Sequence, residues 1–294
     1  MSIYDSIIER QPVEKGWSGD RKYRIRCADG SVYLLRVAAK DRSERFPLVF
    51  ERMKEAARLG IGMCLPVELG EGPEGVYVIQ SWIDGADAES VIPGLPEDEQ
   101  YAFGLEAGRM LVKLHSLPPP ADAVPWQERY GAKIDRKLKM YSQSPIKYDR
   151  DEPFLRYIEQ NRQLIASRPQ SYQHGDYHIG NMMVDRSGKL IIIDFDKDDY
   201  GDPWEEFNRI VWCAQAAPAF ASGMVDGYFP QGVPMEFWRL LALYISSNIL
   251  SSLPWAIPFG QEEIDTMRRQ AADILFWYED MKNCVPNWYK RKER

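Results

Sequence analysis

Two short polar stretches carry residue types suited to phosphoryl transfer: His174-Gly175-Asp176-Tyr177-His178-Ile179-Gly180-Asn181 and Ile191-Ile192-Ile193-Asp194-Phe195-Asp196. Moving a phosphoryl group to a hydroxyl needs a carboxylate to orient that hydroxyl and accept its proton. It also needs oxygen ligands for a magnesium ion bridging the phosphates. Asp176 and Asn181 stand five residues apart in a loop, and Asp194 closes the strand that follows the turn at Asp185 to Gly188. The same order and spacing occur in the kinase template, where a catalytic loop H-R-D-x-x-x-x-N is followed by a D-F-G metal ligand. Taken singly, each motif has a plain structural explanation, since Asp and Asn often close loops and an isoleucine run ending in Asp is an ordinary buried strand. Two motifs in the right order, on a loop and a strand end, favour chemistry.

HGDYHIGN followed by IDFD resembles the aminoglycoside phosphotransferase family, relatives of choline kinase. The resemblance implies that Asp176 is the base, that Asn181 and Asp194 bind Mg2+, and that His174 props the loop. It further implies that Asp202, in Gly201-Asp202-Pro203, steadies the catalytic loop while capping a helix. The implied donor is ATP or GTP, and the implied acceptor is a hydroxyl of a small molecule, foremost an aminoglycoside-type antibiotic. A macrolide, choline, homoserine or a sugar are the alternatives. Gly175 where a protein kinase has Arg, DFD rather than DFG, and no A-P-E segment speak against a peptide acceptor. A catalytically silent nucleotide-binding module is the rival from another class. His178, inside the loop, reads as a packing or hydrogen-bonding histidine.

On the nucleotide side, Lys15-Gly16-Trp17-Ser18-Gly19-Asp20 offers glycines that let backbone amides approach phosphates, and Ser18 and Gly19 are the candidates there. In Tyr33-Leu34-Leu35-Arg36-Val37, Arg36 stands where the family usually has the phosphate-binding Lys. Arg keeps the charge but its planar fork is not equivalent to an ammonium. Glu51 on the following helix is its expected partner, with Glu55 one turn further on as the competitor. The segment Gln80 to Ile83, including Trp82, is expected to offer backbone groups to the purine.

On the acceptor side, carboxylates crowd after the second motif: Asp196, Asp198, Asp199, Asp202, Glu205 and Glu206. Asp198, Asp199, Glu205 and Glu206 are candidates for a surface that binds a cationic acceptor. Acids in a first helical turn also simply complement the helix dipole.

The elements that must position these groups suggest an α+β, protein-kinase-like, two-lobed fold. An N-terminal nucleotide-binding lobe over 1–80 has an antiparallel sheet and one helix, and a larger, mainly helical catalytic and substrate-binding lobe covers 81–294. Tyr23, Ile25 and Cys27 alternate with charged residues, Asp29-Gly30 supplies a turn, and Val32 to Val37 return as an apolar strand. Phe46, Val49, Phe50, Met53 and Ala57 fall at helical spacing, with Ser43 as candidate N-cap and Gly60 as the stop. Val76 to Ile83 is a strand, and Glu97 to Ser116 is a helix ended by Pro118-Pro119-Pro120.

A chain of 294 residues that is 45% hydrophobic can bury a sizeable core, and its net charge of −7 is the wrong sign for nucleic acid or an anionic membrane. Leu240 to Gln261 lacks charge, but its serines, Asn248 and Pro254 make it a buried core helix rather than a membrane span. Cys27, Cys64, Cys213 and Cys284 show no metal or disulfide spacing, and the start MSIYDSIIERQP has no signal-peptide pattern, so a cytoplasmic location is expected.

Overall fold

The structure, a computed structural model, describes residues 2–14, 19–39 and 43–292. In chain order the strands and helices begin with β1 (Ile7–Pro12), β2 (Arg21–Cys27), β3 (Val32–Val37), α1 (Arg45–Ala57), β4 (Pro66–Gly72), β5 (Gly75–Ser81) and β6 (Gly85–Asp87). They continue with α2 (Ala88–Val91), α3 (Glu97–Leu114), α4 (Trp126–Gln143), α5 (Glu152–Asn161), β7 (Ser171–Gln173), β8 (Met182–Asp185), β9 (Leu190–Ile192) and β10 (Asp199–Gly201). The chain ends in α6 (Ile210–Ala216), α7 (Pro218–Tyr228), α8 (Met235–Ala256) and α9 (Gln261–Trp277).

Two compact units form, one from Met1–Ala88 with Asn181–Asp198, the other from Glu89–Gly180 with Asp199–Arg294. The division therefore falls after Ala88 rather than near residue 80, and a later piece of chain returns to the first unit. The reason is pairing: β8 lies antiparallel between β6 and β9, so the second motif is built on the N-terminal half. Gly85 is required there, because a Cβ on it would stand 2.2 Å from the carbonyl oxygen of Val184.

In the first unit an antiparallel sheet has the order β1-β2-β3-β5-β4. The β2–β3 hairpin turns where expected: Gly30 takes φ 86°, and Asp29 Oδ1 accepts the Ser31 amide at 2.9 Å. Strand alternation then sorts the faces. Ile25, Leu35, Val37, Tyr77 and Ile79 make one core, while Val78 on the other face meets Phe46 and Phe50 of α1. That helix starts with Glu44, not Ser43, in the capping position and with no side-chain cap, and Gly60 at φ 64° follows its end.

The second unit is helical around α8, whose apolar residues are nearly all buried. The stretch Met235–Phe259 is long and apolar enough to cross a membrane by length and composition, yet 67% of its apolar window is buried inside the protein, as expected of a core helix. Gly104 and Gly108 of α3 face Gly223 and Gly227 of α7, and a Cβ at Gly104 would meet the Phe220 carbonyl oxygen at 2.1 Å. This close approach anchors α3, whose Ala107 carbonyl accepts the Tyr177 hydroxyl from the HGD loop at 2.7 Å.

Candidate active site

In the first unit the β8–β9 hairpin brings Asn181 and Asp194 to its open end. Met182 pairs with Ile192, and the Asn181 carbonyl accepts the Ile193 amide at 3.0 Å, so the two polar residues leave neighbouring strands together. Asp194 holds φ 64° and ψ 62°, a left-handed conformation that costs an L-residue roughly 1–2 kcal/mol and is best tolerated by Asn and Asp. Such a conformation persists only where surrounding structure enforces it.

Arg36 supplies part of that enforcement. Its Nη1 lies 3.1 Å from Asp194 Oδ1, its Nη2 lies 2.9 Å from Asp20 Oδ2, and it also pairs with Asp196. Burial pulls its pKa down, but Asp196 and then Asp194 more than restore it, so the guanidinium is firmly charged. Glu51 is not its partner: that side chain is exposed and pairs with Lys54 at 3.1 Å. Glu55 is exposed as well. A second cation, Lys22, stands across the strand pair from Arg36 with Nζ 3.8 Å from Asp194 Oδ2. Cys64, close to Asp194, has its thiol pushed up to about 12 by burial and is chemically quiet.

The residues at this hairpin end fit a magnesium ion. Among the described residues no cluster of three or more His, Cys, Asp or Glu could hold a metal. Magnesium characteristically uses one or two protein carboxylates and completes its shell with phosphates and water. The carboxylate of Asp194, 30% exposed, and the side-chain amide oxygen of Asn181 are donors of that kind.

The remaining nucleotide-side candidates are placed as follows. Ser18 lies outside the described residues. Gly19 is exposed, and a Cβ there would meet only Ala39 at 3.7 Å, so side-chain clash does not require a glycine. The Gln80 side chain is buried and gives its amide to Met53 Sδ at 3.4 Å, and Trp82 lies under the Arg24 guanidinium at 5.5 Å.

In the second unit the HGD loop is held from several sides. His174 is fully buried and its Nδ1 accepts the Asp176 amide at 3.3 Å. Gly175 takes φ 82° and donates its amide to Glu206 Oε1 at 2.9 Å. The Asp176 carboxylate pairs with Arg209 at 3.1 Å and lies 3.8 Å from His178 Nε2. Asp202 is buried and accepts both Arg168 nitrogens, at 2.8 and 3.1 Å, the Tyr244 hydroxyl at 2.6 Å and the Trp204 amide at 3.0 Å. Its backbone carbonyl takes the Gln173 side chain at 2.8 Å, one residue before the loop.

The acids expected to form a cation-binding surface all have protein partners instead, and of the four only Asp199 is exposed. Within the first unit, Asp198 receives Arg45 at 2.8 Å and Arg52 at 3.3 Å, with its carboxylate fully buried. Within the second, Asp199 pairs with Arg129 at 3.1 Å and Glu205 with Lys133 at 3.0 Å, while Glu206 serves Gly175. Burial raises the Glu205 carboxyl, but Lys133 and Lys137 outweigh it and keep it below its usual range. Lys137 donates to Asn248 at 3.3 Å.

Arg209, Asp20 and Lys22 join the site without having been anticipated. The Lys22 to Arg36 pairing is recoverable by counting back from the Asp29-Gly30 turn, whereas nothing local marks Arg209.

The geometry agrees with what the chain resembles. Among curated proteins none matches significantly. Solved structures do: aminoglycoside phosphotransferase APH(4)-Ia at 14% identity, TM-score 0.67, over 92% of this chain and 94% of that one. A choline/ethanolamine kinase family protein from Mesorhizobium loti matches at 18% identity, TM-score 0.67, over 94% and 91%. A putative fructosamine-3-kinase from Haemophilus somnus matches at 11% identity, TM-score 0.65, over 92% of each chain. At such identities the likeness concerns the fold, which is the protein-kinase-like α+β arrangement. The sequence profile named APH, described as "Phosphotransferase enzyme family", matches residues 9–241, spanning the sheet, the HGD loop and the β8–β9 hairpin, and the chain belongs to that family.

Proposed function

We propose that the chain transfers the γ-phosphoryl group of a purine nucleoside triphosphate to a hydroxyl of a small molecule. The observation that carries this reading is the β8–β9 hairpin end, where Asp194 is held in a strained backbone conformation beside Asn181. Asp176 then accepts the proton of the attacking hydroxyl, with Arg209 fixing which carboxylate oxygen faces away from it. Asn181 and Asp194 would hold Mg2+, which would neutralise charge on the phosphates. Solved relatives support a nucleotide donor, one being an APH(4)-Ia complex with ADP and hygromycin B and another an aminoglycoside 2'-phosphotransferase-IIIa complex with GDP. Free cysteines, three of them buried, suit the cytoplasm, where we place the protein.

An aminoglycoside acceptor draws support from those relatives but not from the acids of this chain, which already have protein partners. The acceptor reading is therefore a small hydroxyl compound, with amino sugars tested beside neutral and acidic ones. Consumption of ATP and GTP should be measured against aminoglycosides, macrolides, choline, homoserine and sugars. Turnover with one class identifies it; silence from every aminoglycoside removes that acceptor. Asp176→Asn should lower turnover about 10²–10⁴-fold while nucleotide still binds. Unchanged behaviour in Asp176→Asn would instead indicate a nucleotide-binding module without catalysis.

A further inference from the structure

We infer that Lys22, rather than Arg36, is the cation that grips the polyphosphate of the donor, and that Arg36 is a fixed internal counter-charge. This rests on the kinase reading above and assigns one of its binding residues.

The β2–β3 register sets Lys22 directly opposite Arg36, on the sheet face that also carries Val78 and meets α1. Both side chains therefore reach Asp194, but on different terms. Arg36 is 4% exposed and spends both terminal nitrogens on Asp194, Asp20 and Asp196. Asp20 is itself sealed, its side chain 0% exposed and its second oxygen taken by the Ala39 amide at 3.1 Å. Swinging Arg36 toward a ligand would take the cation away from that buried carboxylate. The guanidinium is a planar fork whose two terminal nitrogens are committed to acids and whose remaining Nε is buried, so it lacks the freedom to follow a phosphate.

Lys22 is built differently. Its ammonium is a point charge on a four-carbon stem, and it approaches Asp194 Oδ2 at 3.8 Å as a charge pairing rather than as one arm of a fork. Its side chain is 11% exposed and the Asp194 carboxylate it faces is 30% exposed, so the pair reaches solvent at the end of the β8–β9 hairpin. Three carboxylates, Asp20, Asp194 and Asp196, stand against the two cations. The ammonium that β3 would ordinarily present thus comes from β2, and β3 keeps the charge that holds the carboxylates in place.

The test measures affinity by titration calorimetry in the presence of Mg2+, using AMP-PNP, ADP and adenosine and their guanine counterparts. Lys22→Met should weaken triphosphate and diphosphate binding at least tenfold, leave nucleoside binding unchanged, and keep the melting temperature of the unliganded protein. Lys22→Arg should recover part of the loss, and Arg36→Met should lower the melting temperature without any nucleotide present. Wild-type affinity for AMP-PNP in a folded Lys22→Met protein overturns the assignment alone. An equal loss for nucleoside and triphosphate overturns it too, since the effect is then not on phosphate. Failure of the wild-type protein to bind any purine nucleotide defeats the kinase reading and this assignment together.

Discussion

Arg209 places its Nε 3.1 Å from Oδ1 of Asp176, and the two partners are 26% and 19% exposed. The Nε has no aligned acceptor, so the contact works through charge more than through an in-line hydrogen bond. If Asp176 is the base as proposed, Arg209→Met should lower kcat roughly tenfold, about 1.4 kcal/mol, by loosening the orientation of that carboxylate. Steady-state kinetics should show the loss in kcat with the nucleotide KM little changed.

Asp198 decides between an acceptor-binding surface and an internal brace. Its buried carboxylate holds Arg45 and Arg52, so Asp198→Ala should destabilise the chain by about 2–3 kcal/mol. The figure sits low for a buried pair because both arginines keep some contact with water. Chemical denaturation measures the stability, and the acceptor KM of the folded protein should stay at its wild-type value.

Asp202→Ala should cost more. Removing that carboxylate leaves Arg168, Tyr244 and the Trp204 amide without their acceptor in a buried setting. A loss of about 3–5 kcal/mol and a fall in melting temperature on the order of 10 °C follow. Differential scanning calorimetry checks it.

Lys137 should titrate near neutrality. Burial, and next the neighbouring Lys133 ammonium, bring its pKa down to about 7 from an ordinary 10.5. The folded chain thus gives up a proton that the unfolded chain keeps, and the stability contributed by this group rises with pH between about 7 and 10.5. Below pH 7 both states are protonated and the cost of burying the charge is fully felt. Lys137→Met should remove that slope, raising the melting temperature most at pH 6 and least at pH 10.

The features visible in the sequence were those whose partners are close along the chain. The Asp29-Gly30 hairpin, the HGD loop and the Asp194 strand end each depend on a few adjacent residues, and each appears where expected. The fold class was visible for the same reason, through periodicity and turns. Glu51 shows the opposite case. Phe46, Phe50, Met53 and Ala56 define the buried stripe of α1, and a residue one step beyond Phe50 is turned about 100° away from it, toward solvent. The acidic cluster misled because its partners are remote: Arg45 and Arg52 precede Asp198 by 153 and 146 residues, and Lys133 precedes Glu205 by 72. Charge density in a sequence records how many acids are present, while burial and pairing are settled by distant chain segments.

The left-handed backbone at Asp194 makes that position mutationally lopsided. Asn and Gly enter this conformation readily, whereas Ala, Glu or any branched residue must either strain or redraw the end of β9. An amide at this position, one nucleotide change from the Asp codon, would therefore keep the backbone turn while removing the negative charge that faces Arg36 and Lys22, whereas most other replacements would add backbone strain to that lost charge.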